Sequence, residues 1–435
     1  KSVLQMFYNC QSLGDIDMSN WHLAPTSNIQ AVFVNCSKAK ELDLSGWDLS
    51  SADYGWRLFD GCVRLEKVTF GDKWKWTTYA ALPTPDTQYI EDATGKWYNA
   101  STGEAFSPGG IPEGVAATYV ATDPKTAFAV YSAGDNSLDF YKRMEAPTEG
   151  TTFEGKTATE VYTGIETAEY DAPGDVNGEA TTPWYSHHAS ITSVNFADGG
   201  IRPKSMSFWF QNFTALTSLA GLEKVDASRL TSLAHTFFRL TSYADGIDLS
   251  SWRPDSGIKL NLNATFSAST NLKSVDITGW EFDKSDWSWT FSYCSSLKQV
   301  RGLDEGSQLA TAYTGSMFKD CKALESIDIS RLSLTDDGGC EEMFFGCASL
   351  RAVTVGDGLT PALPTISAGN VAGADGKWHA ASDGAAYVGD AIPPSKADTY
   401  YSVAPSVFAV YSDDDGSLDF YNRAGKPVVG DVWQG

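Results

Sequence analysis

Short runs in which apolar and polar residues alternate return along the chain at a nearly fixed interval. They read DIDMSNW from Asp15, ELDLSGW from Glu41, KVDASRL from Lys224, GIDLSSW from Gly246, SVDITGW from Ser274 and SIDISRL from Ser326. Alternation over four or five positions predicts a short strand with one buried face. The inward positions are Ile16 and Met18, Leu42 and Leu44, Ile247 and Leu249, Val275 and Ile277, and Ile327 and Ile329. Each strand motif has a companion: MFYNCQSL, VFVNCSKA, LFDGCVRL, TFSYCSSL, MFKDCKAL and MFFGCASL place Cys10, Cys36, Cys62, Cys294, Cys321 and Cys347 in one column. The intervals are 26 and 26 residues in the first group, then 27 and 26 in the second.

A unit of this length cannot bury its own apolar face, so stacked neighbours must supply the core. The expected fold is therefore an α/β repeat solenoid of the leucine-rich-repeat type, right-handed, with a short strand and a short helix or turn in each repeat. Three further units, WFQNFTAL, TFFRLTSY and TFSASTNL, put Phe213, Leu240 and Ser269 in the cysteine column. A column that accepts those residues is about packing, and buried cysteine behaves as a small hydrophobe. The column is thus expected to hold core thiols, whereas Cys340, off the register in DDGGCEE, is expected to be the exposed one.

Repetition also occurs on a longer scale. GKWYNASTGEAF from Gly95 returns as GKWHAASDGAAY from Gly376, and FAVYSAGDNSLDFYKR from Phe128 returns as FAVYSDDDGSLDFYNR from Phe408, offsets of 281 and 280 residues. The expected order is the end of one solenoid (1–70), a Gly/Pro-rich tail (71–123), a small mainly-β capping module (124–195), a second solenoid (196–360), its tail (361–403) and the start of a further β-module (404–435). Because it opens within a repeat and stops within a module, the chain reads as an excerpt of a longer protein. The AVYS and SLDFY runs, joined by Gly-Asp-Asn or Asp-Asp-Gly, predict a β-hairpin. Tyr131, Leu138, Phe140, Val161 and Tyr162 are expected in the core of the capping module.

Composition narrows the function. Against 55 acidic residues there are 32 lysines and arginines, a net charge of −23 over 435 residues, so nucleic acid and anionic lipid are poor partners. No run approaches the length of a membrane-spanning helix, which excludes insertion in this stretch. The sequence holds no Walker loop, dinucleotide fingerprint or zinc-ligand spacing, and no triad with a nucleophile elbow. The chain is therefore read as non-catalytic and without a cofactor. An Asp-Gly hairpin explains YSDDDGSLDFY better than a calcium loop does, and His187 and His188 read as a solvated junction.

The strand motif carries its own chemistry. Asp17, Asp43, Asp226, Asp248, Asp276 and Asp328 share one outward position, with Ser19, Ser45, Ser228, Ser250, Thr278 and Ser330 two residues on. Stacked carboxylates repel, and something must offset that. Either each Asp accepts hydrogen bonds that fix the following turn, or the acidic, hydroxyl-rich face binds cations or a polar partner. Trp21, Trp47, Trp252 and Trp280 are expected in the core; Trp209, Trp287 and Trp289 are less regular, and exposure there would carry more meaning.

The MFxxCxxL and LDLSxW pair at this period resembles the BspA-like leucine-rich-repeat surface proteins of bacteria, and the hairpin followed by PWYSHHASITSVNFADGGIRP resembles the segment that opens each solenoid in them. Leu230 and Leu332 depart from the pattern at the Trp position. The resemblance implies an extracellular, wall-associated protein used in adhesion, monomeric within a longer chain, whose partner is a host or bacterial surface protein or glycan. It offers no catalytic residues. A spacer that projects other domains is the alternative, and an enzyme the less favoured third. Irregular aromatics clustered on one exposed face distinguish the adhesin from the spacer.

Overall fold

In the computed structural model the chain folds into two compact units, Lys1–Thr126 with Arg143–Ala146, and Ala127–Lys142 with Pro147–Gly435. The structure describes residues 2–423 apart from 15, 19, 24–27, 53, 78–79, 171–181, 282–284, 305–308, 335–339, 359–370, 389–391, 394–395, 405 and 413–415.

Both units contain a stack of rungs. In the first, Glu41–Leu44 lies parallel to Lys67–Phe70 with Glu41 opposite Lys67 and Leu44 opposite Phe70, and Ile16 bridges to Leu42. In the second, Gly246–Asp248, Ser274–Asp276 and Gln299–Arg301 pair in parallel, as do Ser326–Asp328 and Ala352–Val355. All the inward positions read from the alternation are buried except Ile16, which is half-buried. The solenoid and its tandem repeats are therefore as the periodicity requires.

The α/β assignment is not. Among the described residues the helical turns are three short 3₁₀ turns, Tyr185–His187, Leu222–Lys224 and Ala227–Arg229. The limb expected to return as a helix is a chain of nested turns, and each unit is a β-solenoid. The cause is a recurrent backbone feature. Two residues flanking the rung's inner Phe at −2 and +2 take left-handed φ near 60°: Gln5 and Asn9, Ala31 and Asn35, Phe208 and Asn212, His235 and Arg239, Ala264 and Ala268, Trp289 and Tyr293, Ser316 and Asp320. Arg57 with Gly61, and Glu342 with Gly346, complete the set. An α-helix requires every residue to be right-handed. Alternation between the two hands instead turns successive N–H groups along the stack. Phe7, Phe33, Phe210, Phe237, Phe266, Phe291 and Phe318 each donate N–H to a carbonyl of the next rung, at 2.8–3.1 Å. Those Phe rings stack in turn: Phe237, Phe266, Phe291, Phe318 and Phe344 follow one another at 5.2–5.5 Å with interplanar angles of 2–9°.

The tails are folded caps. In the first unit Ala117–Val120 pairs antiparallel with the last rung, Lys67–Phe70, and Trp97–Asn99 and Ala105–Phe106 extend the sheet. The second unit repeats this with Asp398–Tyr401, Trp378–Ala380 and Ala386–Tyr387. Even the polar contact at the join recurs, Thr69 with Thr118 at 3.0 Å and Thr354 with Thr399 at 2.9 Å. An exposed sheet edge invites pairing with other chains, and these strands cover it. At the opening of the second unit the hairpin Thr126–Ser132 and Ser137–Arg143 does the same, its second strand running parallel to Ser193–Phe196. Tyr131, Leu138 and Phe140 are buried there as expected, while Val161 and Tyr162 are half-buried.

Candidate functional site

Five of the six aspartates expected on the strand column are there. Asp248, Asp276 and Arg301 stand side by side on paired strands, and Asp17, Asp43 and Asp328 occupy the same position on theirs. Asp226 does not. Its rung places the strand at Ser218–Ala220 and the column at Ala220, so Asp226 falls later, as the N-cap of the turn Ala227–Arg229. Gly221 ends that strand at φ 77°, where a Cβ would lie 2.2 Å from the Phe196 carbonyl oxygen. Gly302 ends the Arg301 strand at φ 93° under the same constraint from Ile277. These two departures from Asp thus directly precede a glycine pressed onto the rung below, whereas Thr69 and Thr354, opposite Asp43 and Asp328, do not.

Five of these carboxylates fix the turn that follows them. Ser45, Ser228, Ser250, Thr278 and Ser330 donate backbone N–H to Asp43, Asp226, Asp248, Asp276 and Asp328 at 2.9–3.0 Å, and the Ser45 hydroxyl also donates to Asp43 at 2.6 Å. Ser19, expected to serve Asp17, lies outside the described residues. Ser250 holds the Asp248 carboxyl below the usual carboxylate range, and Arg301 adds to the effect. A basic residue on the third rung also offsets repulsion, Arg301 lying 3.8 Å from Asp276 and Lys67 3.0 Å from Glu41. The outcome is a shallow open cleft of about 300 Å³ on each unit, one lined by Gly246, Asp248, Ser274, Asp276, Gln299 and Arg301, the other by Asp17, Glu41, Asp43, Lys67 and Thr69. Among the described residues no group of His, Cys, Asp and Glu is arranged to hold a metal ion. In the hairpin of the second unit the Lys156 ammonium sits among the acids, 3.1 Å from Asp135 and 2.8 Å from Asp139.

The cysteine column is a set of hydrogen-bonded core thiols. Cys36, Cys62, Cys294, Cys321 and Cys347 each point Sγ at the carbonyl of the Phe in the preceding rung, at 3.0–3.2 Å. Ser269 makes the same donation to Phe237 at 2.7 Å, which explains how serine replaces cysteine in this column. Leu240 and Phe213 fill the slot without a donor and are equally buried. Cys340, expected to be exposed, is 5% accessible; the partly accessible thiol is Cys10, in the first described rung. Desolvation pushes the thiols of Cys62, Cys294 and Cys347 up to about 12 and that of Cys36 to about 11. Since the thiolate is the nucleophile, a disulfide reagent at pH 8 is expected to label Cys10 rapidly in the native protein and the other six only in denaturant. Two or more fast equivalents would show that the stack opens.

Trp47, Trp252, Trp280, Trp209 and Trp287 are buried and Trp21 is half-buried. His187 and His188, expected to be solvated, are half-buried and stack on Tyr131 and Tyr185 at 3.9 and 4.4 Å.

Trp289 is different, at 39% accessible. It belongs to a surface group on the turn limb of three successive rungs. Tyr293 lies 6.4 Å from it with ring planes 24° apart. The Lys319 ammonium sits 5.3 Å from the Trp289 ring centre and 5.4 Å from that of Phe345, and is held by Glu342 at 2.6 Å. Tyr293 and Phe345 are 41% and 49% accessible. The periodic motif conceals this group, because its members occupy different repeat positions: −2 and +2 from Phe291 for Trp289 and Tyr293, and +1 from Phe318 and Phe344 for Lys319 and Phe345.

Nested-turn rungs, a stacked Phe column and folded end caps define a β-solenoid repeat protein. A family model described as "Mycoplasma protein of unknown function, DUF285" matches residues 1–84 and 204–332, segments made largely of these rungs. No curated protein and no solved structure matches the chain.

Proposed function

We propose that the protein is a non-catalytic, extracellular repeat protein of a bacterial cell surface that acts as an adhesin, holding a host or bacterial surface protein or glycan on an exposed face of the solenoid. The observation that carries this reading is the aromatic group Trp289, Tyr293 and Phe345 around Lys319. Repeat solenoids present broad surfaces, and a spacer needs only smooth, polar, repeat-averaged ones. Three accessible aromatic rings within three rungs break that average, and rings of this kind dominate binding hot spots. The acidic cleft is a second surface, although its carboxylates already have a local task in the turns.

The test is to immobilise the full chain and expose it to host glycoproteins, mucin glycans and bacterial surface polymers, with and without calcium. Saturable binding is expected. A variant carrying Asp248→Asn, Asp276→Asn and Asp328→Asn should then separate the two surfaces: retained binding assigns it to the aromatic group, lost binding to the cleft. Silence across the whole panel would overturn the adhesin in favour of the spacer.

A further inference from the structure

We propose that Trp289, Tyr293 and Phe345, with the Lys319–Glu342 pair between them, form a subsite for a neutral saccharide; the proposal rests on the surface-binding reading above and names its ligand class.

The first argument is where the aromatics stand. Trp289 and Tyr293 take φ of 61° and 59°, left-handed backbone that bulky side chains occupy at a cost. The −2 slot of the other rungs is varied, from Ala31, Ala264 and Ser316 to Gln5, Arg57, His235 and Glu342, but the +2 slot holds Asn9, Asn35, Gly61, Asn212, Arg239, Ala268, Asp320 and Gly346, and among the described residues no other rung places aromatics in both. Burial does not compensate Trp289 and Tyr293 fully, since both are about two-fifths accessible. Phe208, an aromatic in one of these slots, differs in being half-buried and stacked on His235 at 5.2 Å. Stability has thus been given up at Trp289 and Tyr293 where the gain is a flat apolar surface facing water.

The second argument is the chemistry between the rings. A pyranose has one apolar face of C–H bonds and a rim of hydroxyls, so it needs an aromatic plane beside mixed donors and acceptors. Lys319 supplies N–H donors and Glu342 carboxylate acceptors, and their ion pair carries no net charge. Lys319 already places its charge 5.3 and 5.4 Å from the Trp289 and Phe345 ring centres, so a cationic ligand beside these rings would be repelled. An anionic ligand meets a chain of net charge −23. A neutral sugar meets neither obstacle. The pair is also anchored from the backbone: Tyr293 donates N–H to the Lys319 carbonyl at 2.6 Å, so the two rungs that carry the rings and the ammonium are tied at this point.

The experiment is saturation-transfer NMR on the full chain with cellotetraose, maltotetraose and chitotetraose. At least one is expected to receive saturation, strongest on its ring C–H protons. Trp289→Ala and, separately, Tyr293→Ala should weaken that binding by about tenfold or more, with a thermal midpoint no lower than the parent's confirming that the stack is intact. Trp56→Ala, in the first unit, serves as the control and should leave it unchanged. Absence of saturation from all three sugars, or equal saturation in Trp289→Ala, overturns the subsite. The same preparations passed over the surface panel separate the two claims. Binding to a protein surface that survives Trp289→Ala removes the saccharide and keeps the adhesin, whereas a chain that binds neither sugar nor surface removes both.

Discussion

Phe291→Ala is expected to destabilise the second unit by about 4 kcal/mol, the middle of the range for emptying a buried Phe site. Phe291 is fully buried, and its ring is clasped by Phe266 at 5.3 Å and Phe318 at 5.2 Å, both nearly coplanar with it. The substitution removes two ring contacts as well as the apolar burial, and the neighbours cannot close the gap. Their spacing is set by main-chain bonds, from Phe266 N–H to the Thr290 carbonyl and from Phe291 N–H to the Met317 carbonyl, both 2.9 Å. Because repeat stability is a sum of rungs and nearest-neighbour interfaces, the loss should be local at first. Hydrogen exchange is expected to rise in the rungs around Phe266, Phe291 and Phe318 before those around Leu216. Urea melts give the magnitude; a loss under about 1.5 kcal/mol, the range of well-tolerated core swaps, would mean that the stack relaxes into the gap and that the main-chain bonds do not hold the spacing.

The second large effect is expected at Arg331, a buried arginine in the strand motif. It is 4% accessible and spans two rungs, donating from Nη1 to the Gly302 carbonyl at 2.6 Å and from Nη2 to the Trp280 carbonyl at 3.1 Å. Burial pulls its pKa down, opposed by the fields of Glu281 and Asp304. Arg331→Met keeps most of the stem volume but takes donors away from two carbonyls, each worth about 1–3 kcal/mol when left unsatisfied. The expected net loss is about 3 kcal/mol. Arg331→Lys should restore only part of it, since a single ammonium cannot reproduce the fork. Relief of desolvation acts the other way. If Arg331→Met proves more stable than the parent in a thermal melt, desolvation outweighs the two bonds and the arginine is no strut.

Much of this architecture was legible because its determinants are side chains at fixed spacing. The alternation in ELDLSGW and SVDITGW marks strands whose inner residues are buried, and the tolerance of Phe213, Leu240 and Ser269 marks the cysteine column as packing. The return limb was misread because its cause lies in the backbone. A clue was present: the residue before each column cysteine is Asn9, Asn35, Gly61, Tyr293, Asp320 or Gly346, mostly types that accept left-handed φ. Read that way, the limb is a turn series with no room for a helix. Asp226 was misplaced because KVDASRL carries the motif's Asp and Ser at the motif's spacing, whereas the distance from Phe210 puts the strand earlier, at Ser218–Ala220. Cys340 was misjudged from its polar neighbours, which describe the loop and not the slot into which the thiol turns. The aromatic group was half legible: Trp289 stood out as irregular, but Lys319 and Phe345 join it only across stacked rungs.

The one-way hydrogen bonding of the turn limb has a consequence for the history of such a chain. Among the described residues the turn limb of one rung offers main-chain donors to the next and acceptors to the one before, so the main-chain part of the joint does not depend on which side chains it carries. Adding or losing a whole repeat by unequal recombination leaves all remaining main-chain joints of the same kind, whereas an insertion of a few residues must be absorbed within the rung, as the extra residue between Phe237 and Gly246 is ahead of a strand that keeps its register. Copy number can therefore drift freely in steps of one repeat, while a grouping such as Trp289, Lys319 and Phe345 persists only in lineages that keep those three rungs adjacent.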